Sequence, residues 1–567
     1  MRLPPFALSA AVGVFAFGLA TSAQEKPSPK APGATPRDTT AEIEPSKPRL
    51  TPRQERGVRL LQSAEAEAAD LQPDMQAYVL WQVSHGYQKI APRKSDALLS
   101  QAFASTLSID KDRANCFGPE YGVRDWLQTG ILEGLLKRSP EQVEHLLPKT
   151  DERVQQSLKG ELFRGYIQKK RFNRAKEMLD RLADDEFYPY YQASDLMQAL
   201  PESHQEARVT IFNQALTNFQ QYNKISTPYE DDFGTMVTRF WHELPPDVVL
   251  DAVDALLKQT NEHEEEERQG GIPGDRIWMQ TLEGNTYFSS VHQFRLFQML
   301  PILERLDPGR AEDLLRDTPG VKSALDQYPQ GMESVPPLSF ETPEGKKEEG
   351  PGVMNLGPDP GNRLEQQQWA DSFRLFNRLS EEAVNDPQKA LADALAEPQV
   401  SPDGHHPRAN ALQTVAERTA ARDPQVAKAA LAELRKQLDG VKPIMLAGAL
   451  LNAVEIYLKI GDQDSAAATL QEALKWVEKI YGTDADHDSP NLAFKGNWPS
   501  VNLWGLCMQL AAKVSLDLPE QIIGEISDPE IVAFERVSYA SSLLGAPRDP
   551  TRVVECHKDG RGFESIM

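Results

Sequence analysis

Cysteine is nearly absent: the 567 residues contain three, Cys116, Cys507 and Cys556. An odd count leaves at least one thiol without an intrachain partner, which excludes a framework stapled throughout by disulfides. No Cys or His cluster recurs at the spacing a structural metal needs. Positive charge is in deficit, with 61 Lys and Arg against 84 Asp and Glu and a formal net charge of −23. So acidic a surface repels phosphate backbones and anionic headgroups, so neither nucleic acid nor a membrane surface is an expected partner. After the first 23 residues no apolar run reads as long enough for a further bilayer crossing. The signatures of familiar catalysts are missing too. There is no Gly-x-Ser-x-Gly elbow, no Gly-x-x-x-x-Gly-Lys phosphate loop and no Gly-x-Gly-x-x-Gly after a strand. No cysteine has the setting of a nucleophile. No catalytic, cofactor-binding or metal-ligating residue is nominated on these grounds.

What is present begins with a leader-like start. Arg2 supplies a positive charge, Phe6 to Leu19 is apolar or small throughout, and Thr21-Ser22-Ala23 offers a small-residue cleavage site. Residues 1–23 therefore read as a secretory signal peptide, with an uncleaved anchor as the alternative, and the expected location is periplasmic or secreted. Export permits disulfides without requiring any. Cys507, within Leu503-Trp504-Gly505-Leu506-Cys507-Met508, reads as a small buried hydrophobe, while Cys116 and Cys556 sit in polar surroundings and are free to pair or not.

Residues 24–52 hold seven prolines and almost no large apolar side chains, so they are expected to form a disordered tether. Residues 329–363 form a second break, with seven prolines and six glycines between Pro329 and Gly361. Proline removes helical donors and glycine raises the entropy cost of helix formation, so helices should stop there. This divides the rest into a helical block at 53–328 and another at 364–567. Gly482 to Pro499 reads as a shorter loop inserted within a repeat.

Elsewhere apolar residues recur at three and four positions, the helical period. Phe373, Phe376, Leu379 and Ala383 trace one face; Leu412, Val415, Ala416 and Thr419 trace another. Asp386-Pro387, Asp423-Pro424 and Asp462-Gln463 each precede an Ala-rich run, with the aspartates 37 and 39 residues apart. Asp before Pro suits a helix cap followed by a first helical position that needs no N–H. A cap repeated at helical-hairpin spacing is the signature of a solenoid, with roughly ten hairpins in all. The expected fold is all-α, a helical-hairpin repeat array in two blocks.

Leu450, Ala453, Val454, Tyr457, Gly461, Ala466, Leu470 and Ala473 follow one helix–turn–helix, and at this spacing the chain resembles the tetratricopeptide repeat family. Leu162, Phe163, Tyr166, Ala175, Leu179 and Leu182 make a second such unit, with Lys170 in place of the usual turn glycine. Neither unit has the family's closing proline, and the remaining hairpins fit a HEAT-like or an irregular solenoid equally well. Small alanines let two helices approach while Leu, Phe and Tyr fill the groove between them.

Three segments invite chemistry. Asp484-Ala485-Asp486-His487-Asp488 has the alternating carboxylates of a calcium loop, but Ser489 and Lys495 stand where an EF-hand needs Gly and Glu, so a solvated acidic loop is expected. Glu262-His263-Glu264-Glu265-Glu266-Glu267 lacks a second histidine one turn away and reads as a solvated helix end; His405-His406 reads as a polar turn. The third is a family of aromatic-and-acid connections: Asp184 to Tyr191, Pro228 to Gly234 with Arg239-Phe240-Trp241-His242-Glu243, and Gly284 to Phe288. Helical glycosidases place paired carboxylates and stacking aromatics in such loops, which makes Asp231, Asp232 and Glu243 candidate acids. The simpler expectation is that the acids cap helices and the aromatics staple loops to the core. Together these readings predict a scaffold that binds a protein or peptide along its repeat surface, with a carbohydrate-active helical enzyme as the alternative and the oligomeric state open.

Overall fold

The computed structural model describes residues 50–112, 122–183, 188–222, 232–270, 276–281, 283–316, 318–341, 347–350, 352–353, 355–358, 363–399, 406–438, 441–485, 494–545, 554–556 and 563–565. The expected signal peptide, the tether up to Ile43-Glu44-Pro45-Ser46-Lys47-Pro48-Arg49, and Cys116 lie outside these residues, and with Cys116 any pairing to Cys556.

The chain is all-α. The first helices are α1 (Pro52–Ala68), α2 (Pro73–Tyr87), α3 (Pro92–Thr106), α4 (Val123–Leu136), α5 (Pro140–Leu146), α6 (Glu152–Gln168), α7 (Phe172–Leu182) and α8 (Tyr190–Ala199). They continue as α9 (Gln205–Tyr222), α10 (Phe233–Phe240), α11 (Pro246–Gly270), α12 (Val291–Leu306), α13 (Pro308–Arg316) and α14 (Pro319–Gln327). After the Pro/Gly-rich segment come α15 (Arg363–Asn385), α16 (Pro387–Ala396), α17 (Pro407–Thr419), α18 (Pro424–Lys436) and α19 (Pro443–Ile460). The last are α20 (Gln463–Ala485), α21 (Pro499–Val514), α22 (Leu518–Glu525) and α23 (Pro529–Leu544).

So many helices in a chain with 42 prolines is not a conflict. Pro52, Pro73, Pro92, Pro387, Pro424, Pro443 and Pro529 all occupy the first helical position. There the missing N–H has no intrahelical acceptor to lose and the fixed φ already suits the helix. The three repeated aspartates act as caps: Asp386, Asp423 and Asp462 accept from the backbone N–H groups of Lys389, Val426 and Ser465 at 3.1, 3.2 and 3.1 Å.

Consecutive helices pack in pairs, α2 on α3, α6 on α7, α17 on α18 and α19 on α20. In the last pair Leu450, Val454, Ala466, Leu470 and Ala473 are all buried. Gly461 ends α19 with φ +82°, and Lys170, at the matching turn between α6 and α7, holds φ +54°. A side chain in this left-handed region costs about 1–2 kcal/mol, so Gly461→Ala is expected to lower unfolding free energy by roughly 1 kcal/mol. Urea denaturation of that variant with an unchanged midpoint would refute the assignment.

Strands are few and short: β1 (Ile277–Thr281), β2 (Gly284–Phe288), β3 (Leu338–Glu341), β4 (Lys347–Gly350), β5 (Asn355–Pro358), β6 (Val554–Cys556) and β7 (Phe563–Ser565). β1 is fully buried and pairs antiparallel with β2 and with β5. β5 belongs to the 329–363 segment. That segment carries no α-helix among its described residues before Arg363, where α15 begins, and it is tied by a strand to the helical block before it.

The core is divided elsewhere. One cluster runs from Leu61 to Val335 and resumes from Ile444 to Leu543; the other holds Leu379 to Leu434 and Ile456. The junction is α19, whose Leu450, Leu451 and Val454 lie in the first core and Ile456 in the second. The first core is continuous because α1 and α2 pack on α23. Across that seam Tyr78 stacks on Phe534 with centroids 5.1 Å apart and planes 14° apart, a pair worth about 0.5–1.5 kcal/mol beyond its burial. Arg56 meets Glu520 at 2.6 Å and Arg536 meets Glu67.

Two expectations need correction. Pro443–Ile460 is long and apolar enough to cross a bilayer by length and composition, with a mean hydropathy of 1.4, contrary to the expectation that no later segment would be. Here that apolarity serves two cores at once and 44% of the helix is buried. Phe376 does not share the buried face of Leu379 and Ala383; it is 39% exposed, with the Arg418 guanidinium 5.8 Å above its ring.

Candidate functional site

The aromatic-and-acid connections are partly within the described residues. Asp184 to Phe187 and Pro228 to Asp231 lie outside them. Tyr188, Tyr190 and Phe233 converge, with Tyr188–Tyr190 centroids 5.1 Å apart and Tyr190–Phe233 5.7 Å, and Phe233 stacks on Phe219 at 4.8 Å. Phe233 is buried, so this aromatic set staples α8, α9 and α10 together.

Asp232 caps α10, accepting from the Thr235 N–H at 3.0 Å. The same carboxylate receives both terminal nitrogens of Arg295 from α12, a pair whose side chains are 6% and 4% exposed. Arg295 also donates to Gln298 Oε1 at 2.6 Å. Gly234 makes the approach possible, since a Cβ there would overlap the guanidinium. A carboxylate held by an arginine and a backbone N–H on both oxygens is an anchor, with no free oxygen for proton transfer. Glu243 is ion-paired to Arg208 at 2.8 Å, and Arg208 in turn donates to the carbonyls of Met197 and Leu200. Trp241 donates to Glu333 at 3.3 Å. The structure thus brings Asp232 to a buried ion pair and Glu243 to a partly exposed one.

Gly284 to Phe288, read as a connection, is strand β2. The signal was present: Ile277-Trp278 and Thr286-Tyr287-Phe288 are β-favouring runs either side of Glu283-Gly284-Asn285. Lys495 pairs with Asp528 and Glu530, both at 2.6 Å, which gives that lysine a structural role. Asp486 to Asp488 and His405 lie outside the described residues. Glu262 to Glu267 fall near the end of α11, and among the described residues no group of three His, Cys, Asp or Glu side chains is placed to share a metal ion.

Beside the aromatic staple lies an open cleft of about 550 Å³ between α7 and α9. One wall is Leu179, Asp180 and Ala183 with Tyr188; the other is a face of α9 carrying Thr210, Asn213, Gln214, Thr217, Asn218 and Gln221, closed by Tyr222. Helical geometry dictates this row, because residues three and four apart share a face. The opposite face of α9 buries Ile211, Phe212, Ala215, Leu216 and Phe219. Thr210, Asn213, Gln214, Thr217 and Gln221 are exposed. Among the described lining residues the one carboxylate is Asp180, ion-paired to Lys176 at 3.2 Å. The row was missed in the sequence, although residues 209–223 contain no charged residue where a 26% charged composition would place about four.

The fold and the cleft define the class: an all-α protein of paired helices with an open polar cleft. Comparison with protein-family models and with curated protein sequences found no match.

Proposed function

We propose that this chain is an exported helical-repeat protein of tetratricopeptide-like type that acts by binding a protein or peptide partner. The observation that carries the reading is the cleft between α7 and α9, a solvent-open row of hydrogen-bonding side chains on a chain whose net charge is −23. Surface helices ordinarily face water with Lys and Glu, and a face of amides and hydroxyls lacks their desolvation cost when a neutral ligand covers it. Paired helices at α6–α7 and α19–α20 with residues at repeat spacing support the family resemblance, and the leader-like residues 1–23 support export. Asp232 and Glu243, both ion-paired, give no support to glycoside hydrolysis, which needs two free carboxyl groups across one site.

The test is photo-crosslinking of the full mature chain in an envelope extract of its source, with the photoreactive residue at Thr217 or at exposed Lys322. The expected result is a discrete polypeptide adduct from Thr217 and none from Lys322. Identical adducts from both positions, or no polypeptide adduct from Thr217, would overturn the reading.

A further inference from the structure

We infer that α15 to α18 form an inserted arm that opens as a unit while the rest of the chain stays folded. Among the described residues, the first core takes nothing from the chain between Val353 and Ile444. The chain leaves that core through β5, which pairs with the buried β1, and returns to it at α19. Both ends of the arm are therefore held by partners that do not belong to it. The first core closes without the arm, through α1, α2 and α23.

The arm's own core is small. Among the described residues it buries fifteen apolar side chains, eight of them alanine and none aromatic, and one of the fifteen, Ile456, is lent by α19. An alanine brings a single methyl group to a core, a fraction of what leucine or phenylalanine brings. Polar atoms weaken it further. The buried Ser380 hydroxyl on α15 and Gln437 Oε1, just past α18, have no hydrogen-bond partner among the described residues. Each forfeits in the closed arm a bond that water supplies once the arm opens. Polar ties across the junction, Lys428 to Asp462 at 2.6 Å and Arg435 to Glu472, lie near the surface, where solvent and salt screen them.

Local opening selects the contiguous unit with the least buried apolar surface. Helical hairpins stacked in a row contact mainly their neighbours, so the break falls where one core gives way to the other. That place is within α19. Leu450, Leu451 and Val454 stay covered by the first core, while opening of the arm uncovers Ile456 and Ile460. The arm thus changes which face of α19 meets solvent without loss of the fold that carries it.

The experiment is amide hydrogen exchange of the full chain, followed peptide by peptide in rising, sub-denaturing urea. The expected result is one common opening for α15 to α18, about a hundredfold more frequent than that of α2, α4 and α21, with α19 exchanging alongside the latter. Leu431→Ala, which cuts the arm's core, should speed exchange of α15 to α18 about a hundredfold and leave α2, α4 and α21 unchanged. Leu132→Ala, which cuts the first core, should speed α2, α4 and α21 and leave the arm as it was. If Leu431→Ala leaves the arm open throughout, its amides should exchange without protection while the first core keeps its own, which supports the separation equally. Exchange of all these helices through one opening of the same frequency, or a speeding of both regions alike by Leu431→Ala, would overturn the arm as a separate unit.

Discussion

Asp232→Ala is expected to lower the unfolding free energy by about 3–5 kcal/mol, because it breaks a buried ion pair by removing one partner. The substitution strands the Arg295 guanidinium in the core with Gln298 as its remaining partner, and its Nε already has no acceptor. It also removes the cap of α10, which alone is worth about 1 kcal/mol. The control is the double variant Asp232→Ala with Arg295→Met, in which no unpaired charge is left behind. Recovery of at least half the loss, read by urea denaturation, is the expected outcome. If the single variant were as stable as the parent, the pair would not be the anchor that its burial implies. A glycan-hydrolysis assay on the same variants separates a structural acid from a reacting one.

Glu535 carries the second large effect. It lies on α23 with no exposed surface, and neither carboxylate oxygen has a hydrogen-bond partner. Burial alone holds its carboxyl well above the usual carboxylate range. Cys507 on α21 feels the same setting: burial first, and then Glu535, push its thiol up. The folded state therefore keeps a proton on Glu535 that the unfolded chain releases near pH ~4.3. The stabilisation is full below that value and is lost as pH rises through the folded value, with a slope approaching ~1.4 kcal/mol per pH unit while only one state titrates. Glu535→Gln is expected to abolish this slope in melts taken from pH 5 to 9. Glu535→Met, which removes the unpartnered polar atoms at similar volume, is expected to add about 1–3 kcal/mol at neutral pH. Parallel pH profiles for parent and Gln variant would show that Glu535 does not keep its proton.

Much of the helical architecture was legible because its signals are local. Asp386, Asp423 and Asp462 announced their caps by type and position. Gly461 sits in the turn where its spacing placed it, and Lys170 adopts the left-handed backbone that a glycine would take without strain. Leu412, Val415, Ala416 and Thr419 share a buried face because periodicity is a property of a few consecutive residues. The candidate site was less legible. The acids of the aromatic connections drew attention by composition, but what Asp232 does is decided by Arg295, 63 residues away. The cleft row on α9 has no eye-catching residue; its signal is the lack of charge over 209–223, visible only against the rest of the chain.

The sequence by itself determined that the chain is all-α and where the helices after Asp386, Asp423 and Asp462 begin, because caps, prolines and apolar period act within one or two turns. Only the tertiary structure decided which helices share a core. Pro329 to Gly361 interrupts the helices, yet β5 within it pairs with β1, and the first core continues through α1, α2 and α23. The physical reason is that proline and glycine act on local backbone, while a core is assembled from apolar faces whatever their separation along the chain. The same distinction makes α7 and α9 the two walls of one cleft, since neither helix encodes the other as its neighbour.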